Sequence, residues 1–273
     1  MHGAWGRDAV AQSALGPYAP RVWREAVRQR GTRVITIRRD LRRRPERDLR
    51  MVYVRPTRPG AGPGRAVRRT IDDLARVVPA TEWLASGAEP HPSWEVDDDG
   101  YVLVCTNGRH DPCCATFGRP LVRHLGATRW ADQVWECSHI GGDRFAANVV
   151  LLPDSLYFGH CDGPGVEAML AAHDAGRLDT TSFRGRSTFT TAEQAVEHAV
   201  RAELGLDGLD AIAGMTRTDD EGGFAVVVRN ADGERTVPVA LRRTDVAAPT
   251  PLTCKGSPGQ QYARFDVSLT SPT

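Results

Sequence analysis

Most of the side chains able to ligate a metal or carry redox chemistry fall in two stretches. One is Cys105-Thr106-Asn107-Gly108-Arg109-His110-Asp111-Pro112-Cys113-Cys114, the other Trp135-Glu136-Cys137-Ser138-His139-Ile140-Gly141-Gly142-Asp143-Arg144-Phe145. Four of the six cysteines lie between Cys105 and Cys137, a crowding that suits ligation or redox chemistry better than a disulfide scaffold. Cys105 closes a predicted apolar strand, and Cys113 and Cys114 open a predicted helix whose unpaired N-terminal amides favour a thiolate. The loop between them folds both sulfurs toward one point. His139 and Asp143 are separated by three residues, two of them glycines. A loop so poor in side chains can wrap its N–H groups close to a bound anion or sulfide.

A cysteine, eight residues, a second cysteine, then Trp-Glu-Cys-Ser-His-x-Gly-Gly before Arg-Phe-Ala together resemble the sucrase/ferredoxin-like family of thioredoxin-like ferredoxins. Trp5-Gly6-Arg7-Asp8 near the start and Phe183-Arg184-Gly185-Arg186-Ser187 further on resemble it too, so the likeness spans most of the chain. The resemblance implies a two-iron, two-sulfur (2Fe-2S) cluster held by two cysteines and by two histidines of a His-x-Gly-Gly-His segment. It places ligands at Cys105, Cys114 and His139, and puts Asp143 where the second histidine would stand. A carboxylate in place of imidazole adds negative charge and should lower the potential. Position in the motif favours Asp143 as the fourth ligand, whereas ligand softness favours the thiolate of Cys137, which shares a side with residue 139 on an extended strand.

The family implication makes the protein an electron carrier rather than a catalyst, with a redox partner such as a flavoprotein reductase. The free nitrogen of His139 could gain or lose a proton as the iron changes charge. Two alternatives use the same residues. A structural zinc site suits two cysteines, a histidine and a carboxylate. A thiol–disulfide oxidoreductase using Cys113 with Cys114 or Cys105 is weaker, because no Cys-x-x-Cys is present. No pair of carboxylates stands out for sugar hydrolysis, so glycosidase activity is not expected.

Other residues have ordinary explanations. Only one of the adjacent Cys113 and Cys114 can face a shared site from a helix, which makes Cys113 a packed thiol and an alternate ligand. Cys161 and Cys254 read as isolated and inert. His110 and His124 read as surface or capping residues, and Trp135 and Phe145 as packing that shields the site. Arg109, Arg119 and Arg144 could balance cluster charge or meet a partner, though a solvated arginine is the ordinary case for each.

These residues need a scaffold. Strands are predicted over Tyr101 to Cys105, Gln133 to Glu136, Asn148 to Leu152 and Leu156 to Gly159, with helices over Cys113 to Leu125 and Gly165 to Ala175. That order, βαβ then ββα, is the thioredoxin-like arrangement, and the fold class is α/β (α+β). Before it, a helix over Pro20 to Arg30 stopped by Gly31, strands Val34 to Ile37 and Met51 to Val54, and an arginine run from Arg38 to Arg50 form an N-terminal α/β unit. A unit that opens on a helix predicts that its first strand lies upstream of residue 1. Glu89-Pro90-His91-Pro92-Ser93 reads as a boundary. After Arg184, a helix over Ala192 to Leu204 presents Ala195, Val196, Ala199 and Val200. Alternating runs Phe224 to Val228 and Thr236 to Leu241 flank the Asn230-Ala231-Asp232-Gly233 turn, and a last strand covers Tyr262 to Val267. The expected units are residues 1–92, 93–182 and 183–273.

A length of 273 residues agrees with two domains plus an extension at about 150 residues each. A net charge of +1 removes the argument for nucleic acid that a strongly basic chain would make, and the arginine run carries no aromatic platform. The longest apolar stretch, Phe145 to Pro153, is less than half the ~20 residues that cross a bilayer, so no membrane partner is expected. The first residues lack a basic segment followed by an apolar one, which predicts a cytoplasmic location.

Overall fold

The computed structural model describes residues 5–28, 32–39, 49–56, 58–62, 64–85, 93–218, 222–254 and 256–270. In chain order, α1 (Ala19–Arg28) leads to β1 (Ile37–Arg38), the hairpin of β2 (Leu49–Arg55) and β3 (Arg65–Ile71), α2 (Val77–Ala85) and β4 (Glu95–Val96). Then come β5 (Tyr101–Cys105), α3 (Pro112–Leu125), β6 (Val134–Cys137), β7 (Val149–Leu152), β8 (Leu156–Phe158) and α4 (Gly163–Asp174). The remainder is β9 (Phe183–Arg186), α5 (Thr191–Leu204), β10 (Ile212–Arg217), β11 (Gly223–Asn230), β12 (Gly233–Ala247) and β13 (Gln261–Leu269). The class is α+β.

A six-stranded sheet, ordered β1-β6-β5-β7-β8-β9, carries the candidate site. β5 runs parallel to β6 and antiparallel to β7, as the expected βαβ–ββα order requires. Because β5 is central, its Tyr-Val-Leu-Val-Cys run is buried on both faces. Alternate residues face opposite sides. Val102 and Val104 pack with Leu121 and Leu125 of α3 and Met169 and Leu170 of α4. Leu103 and Cys105 belong to the other core, with Cys114, Cys137, Ile140 and Val150, against which Ile35, Ile37 and Val52 pack.

The N-terminal strand is shorter than expected: of Val34 to Ile37 only Ile37 pairs, with Arg38, against Cys137 and Glu136 of β6. The sheet therefore draws on residues on both sides of 93–182, since β9 pairs with β8 at its far edge. Strand β3 was not expected, because Arg65-Ala66-Val67-Arg68-Arg69-Thr70-Ile71 reads as polar, yet Ala66, Val67 and Ile71 are buried. Helix α2 was also missed; its Val77-Val78-Pro79 start hides a first turn where proline is tolerated. Residues 29–31, 40–48 and 86–92 fall outside the described residues, and with them Gly31, most of the arginine run and most of the Glu89–Ser93 boundary.

β10 to β13 form a four-stranded antiparallel sheet in which Asn230 faces Gly233 across the expected hairpin turn. Helix α5 covers it and begins with a capping box between Thr190 and Glu193. Its buried face differs from the expected one: Val196 and Val200 lie in the core, but with them go Glu197 and Arg201 rather than Ala195 and Ala199. Glu197 Oε1 accepts hydrogen bonds from Arg186 Nε at 2.9 Å and Arg201 Nε at 3.0 Å, so both charges are buried as a set. Arg201 also donates to the carbonyls of Leu206 and Gly208.

No helix among the described residues is long and apolar enough to cross a membrane.

Candidate metal centre

Helix α3 fixes one half of the site. Asp111 caps it, its Oδ1 accepting from the Cys113 amide at 2.9 Å, and Pro112 occupies the first turn, where no N–H is needed. Cys114 is thereby the third residue of the helix, buried, with its side chain toward the end of β5. The helix can come this close because residue 118 is glycine. A Cβ there would overlap the carbonyl oxygen of Cys105 and lie 3.1 Å from its carbonyl carbon.

The second half follows β6. Cys137 stands opposite Cys105 in the parallel register, and the chain then leaves the sheet through Ser138, whose amide donates to the Thr36 carbonyl at 2.8 Å. Gly141 and Gly142 adopt φ of +86° and +74°, a left-handed pair that turns His139 and Asp143 back toward the same point. The Gly142 carbonyl is held by Asn148 Nδ2 at 2.9 Å, and Asn148 Oδ1 by Arg184 Nη1 at 2.7 Å.

The two halves meet. One ligand atom each from Cys105, Cys114 and His139 lie within 4.8 Å of one another. Cys114 Sγ is 3.7 Å from His139 Nδ1 and 3.9 Å from Asp143 Oδ1, and His139 Nδ1 is 3.1 Å from Asp143 Oδ1. The structure thus brings together Cys105, Cys114, His139 and Asp143, with Cys137 hydrogen-bonded to Cys105 at the buried side.

Electrostatics bear on the donor set. The hydrogen bond from Cys114, then that from Cys137, holds Cys105 far below the ordinary thiol value. Cys114 is pushed up chiefly by that same hydrogen bond, and Cys137 chiefly by its burial. Hydrogen bonding and burial within the cluster thus favour the anion at Cys105 over that at Cys114 or Cys137. Burial raises the Asp143 carboxyl, while His139 opposes the rise. A cation would offset the cost of burying these anions together.

Cys113 and Cys254 form a disulfide, with Cα atoms 6.4 Å apart. This corrects the reading of Cys254 as isolated and removes Cys113 from the alternate ligands. Their separation of 141 residues is the reason spacing could not show it. Cys161 is a free buried thiol pushed up to about 12 by burial, in line with an inert role.

His110 is the chief surprise. It is exposed, in line with the surface reading, and its ring also stacks on that of His139, centroids 3.8 Å apart and 17° from parallel. His124 also lies at the surface, 2.6 Å from Glu167. Trp5, 101 residues before its partner, donates from Nε1 to Thr106 Oγ1 at 2.8 Å and so lays the N-terminal segment beside the site. A cleft of about 660 Å³ runs between Arg7 to Gln12 and the edge formed by Asn107, His110, Ser138 and His139.

Three arginines border the glycine turn. Arg33 Nη2 lies 3.5 Å from the His139 carbonyl, while Arg144 and Arg184 each set a guanidinium over the Phe145 ring, at 4.5 and 4.6 Å. Burial, and then the neighbouring Arg144 and Arg33, lower the Arg184 guanidinium. Phe145 therefore supports cations beside the site, more than it closes it off. Arg109 and Arg119 are exposed, as expected.

A mixed parallel and antiparallel sheet with thiols on one rim and an imidazole and a carboxylate on the facing loop defines an α+β protein with a group of Cys, His and Asp side chains that could hold a metal. The family model for sucrase/ferredoxin-like proteins matches residues 18–185, more than half of the chain, and the protein belongs to that family. No curated protein and no solved structure matches it.

Proposed function

We propose that this protein is an electron carrier whose two-iron, two-sulfur cluster is held by Cys105, Cys114, His139 and Asp143. The supporting observation is the convergence of these donors, from a helix N-terminus and a double-glycine turn, within a few ångströms of each other. The donor chemistry fits the group: thiolates for iron on the buried side, nitrogen and oxygen on the outer side. When bound, the cluster supplies a one-electron couple. Cys105, Cys114 and Cys137 lie inside the core and exclude water from the inner side, whereas His139 is half-buried at the edge of the cleft. Electrons would pass by that edge.

Arg33 and Arg144 are exposed beside it, and among the described residues neither makes an ion pair. Such a rim favours a redox partner with an acidic surface, a flavoprotein reductase being the class proposed, docked by complementary charge. We place the protein in a reducing cytoplasm, where the buried ligand thiols stay free and a bridge between exposed cysteines is transient.

Zinc is the second reading, favoured by the compactness of the Cys105, Cys114 and His139 group around a single point. An anaerobic preparation settles the choice. Visible absorption with iron and acid-labile sulfide in equal amounts is expected; a colourless protein with stoichiometric zinc would refute the electron-carrier reading.

A further inference from the structure

The Cys113–Cys254 disulfide joins the start of α3 to the loop 248–260 that connects β12 and β13. The loop is closed at its base by paired hydrogen bonds, Ala248 N to Gln260 O at 2.8 Å and Gly259 N to Ala248 O at 2.9 Å. Its tip is fastened to the site in two ways. One is the disulfide, and the other is Asp111, whose Oδ2 accepts from the Cys254 amide at 3.1 Å while Oδ1 caps the helix. Asp111 is buried and also faces Asp143. Cys254 is exposed and Cys113 half-buried, so the bond stands open to solvent, unlike the four free thiols, which are all buried.

We propose that Cys113–Cys254 is a thiol-exchange site, whose reductant is a dithiol, and that its opening releases the strap 248–260 from the candidate metal centre. Exposed disulfides are those that outside thiolates reach and reduce. A thiolate of the dithiol attacks the Cys254 sulfur and expels the Cys113 thiolate, giving a mixed disulfide. The second thiol then attacks the reductant's own sulfur and frees Cys254. The dithiol leaves as a disulfide, and Cys113 and Cys254 gain two electrons and two protons. Asp111 loses the tether that holds the Cys254 amide against it. The exchange holds whether or not iron is bound; its effect on the metal rests on the cluster reading above.

The test uses the full-length protein under native, anaerobic conditions, with dithiothreitol as the dithiol and iodoacetamide to trap thiols for peptide mass mapping. Cys113 and Cys254 should be alkylated about tenfold faster with dithiothreitol than without it, with Cys161 unlabelled. Limited proteolysis within 248–260 should rise in parallel. The C254S variant should show that proteolysis without reductant, and should release iron to a chelator about tenfold faster than the parent. The proposal is overturned if the bridge resists dithiothreitol until the protein is unfolded, or if Cys113 and Cys254 are thiols that mild oxidation does not join. Should C254S fail to fold, the alkylation of the parent still decides. A colourless protein whose bridge is nonetheless exchanged would sink the cluster reading and leave the exchange site standing.

Discussion

Gly118→Ala separates the packing that builds the candidate centre from the propensity of the helix that carries it. Considered alone, α3 should gain about 1 kcal/mol, because alanine is the better helix former. The structure opposes this. The new methyl would overlap the Cys105 carbonyl oxygen and stand 3.1 Å from its carbon and 3.3 Å from Thr106 Cγ2. Two of those atoms belong to the backbone of the central strand, so no rotamer change relieves the contact. The helix must move away from β5 by roughly 1 Å, and overpacking of this kind costs ~1–3 kcal/mol or more. A net loss of up to about 2 kcal/mol is expected once the propensity gain is subtracted, a fall in Tm of up to about 8 °C for a chain of this size. Because Cys114 rides on the helix and Cys105 ends the strand, the same shift parts the two sulfurs. Metal affinity should fall about 10- to 100-fold, in the range seen when ligand positioning is lost. Thermal unfolding followed by circular dichroism measures the first effect, and competition with a chelator the second. A variant that melts at or above the parent temperature with unchanged metal affinity would refute the claim that Gly118 sets the distance between Cys105 and Cys114.

Asp143→His should raise the midpoint potential by removing a negative charge from the outer side of the site; an unchanged or lowered potential in protein-film voltammetry rejects Asp143 as a ligand. Glu197→Ala leaves Arg201 and Arg186 buried without their shared carboxylate and should cost ~3–5 kcal/mol, read as a lower urea midpoint. Asp154 is held below its ordinary carboxylate value by the hydrogen bond with His173. Its contribution is present above the ordinary value of about 4 and is lost as pH falls through the depressed one. The stability gap between parent and Asp154→Asn should thus be largest near neutral pH and close in acid, and a gap that widens below about pH 4 contradicts the assignment.

The parts of this protein legible in the sequence are those whose cause is local. Tyr101 to Cys105, with no charge in five residues, had to be an inner strand. Asp111-Pro112 had to start a helix. The turn through Gly141 and Gly142 had to bring His139 and Asp143 to a common side. Each half of the proposed donor set lies within one contiguous stretch, so the four candidates could be named from spacing and resemblance.

Tertiary structure alone decided what depends on partners far along the chain. The stacking of His110 on His139, the anchoring of Trp5 at Thr106 and the bond between Cys113 and Cys254 join residues that no periodicity relates. Glu197 and Arg201 are an opposite-charge pair one turn apart on a helix, and the approach of Arg186 from β9 completes the set in which they are buried. Periodicity reports which face of an element is apolar; which charged or sulfur-bearing neighbour arrives at that face is set by how the sheets close on one another.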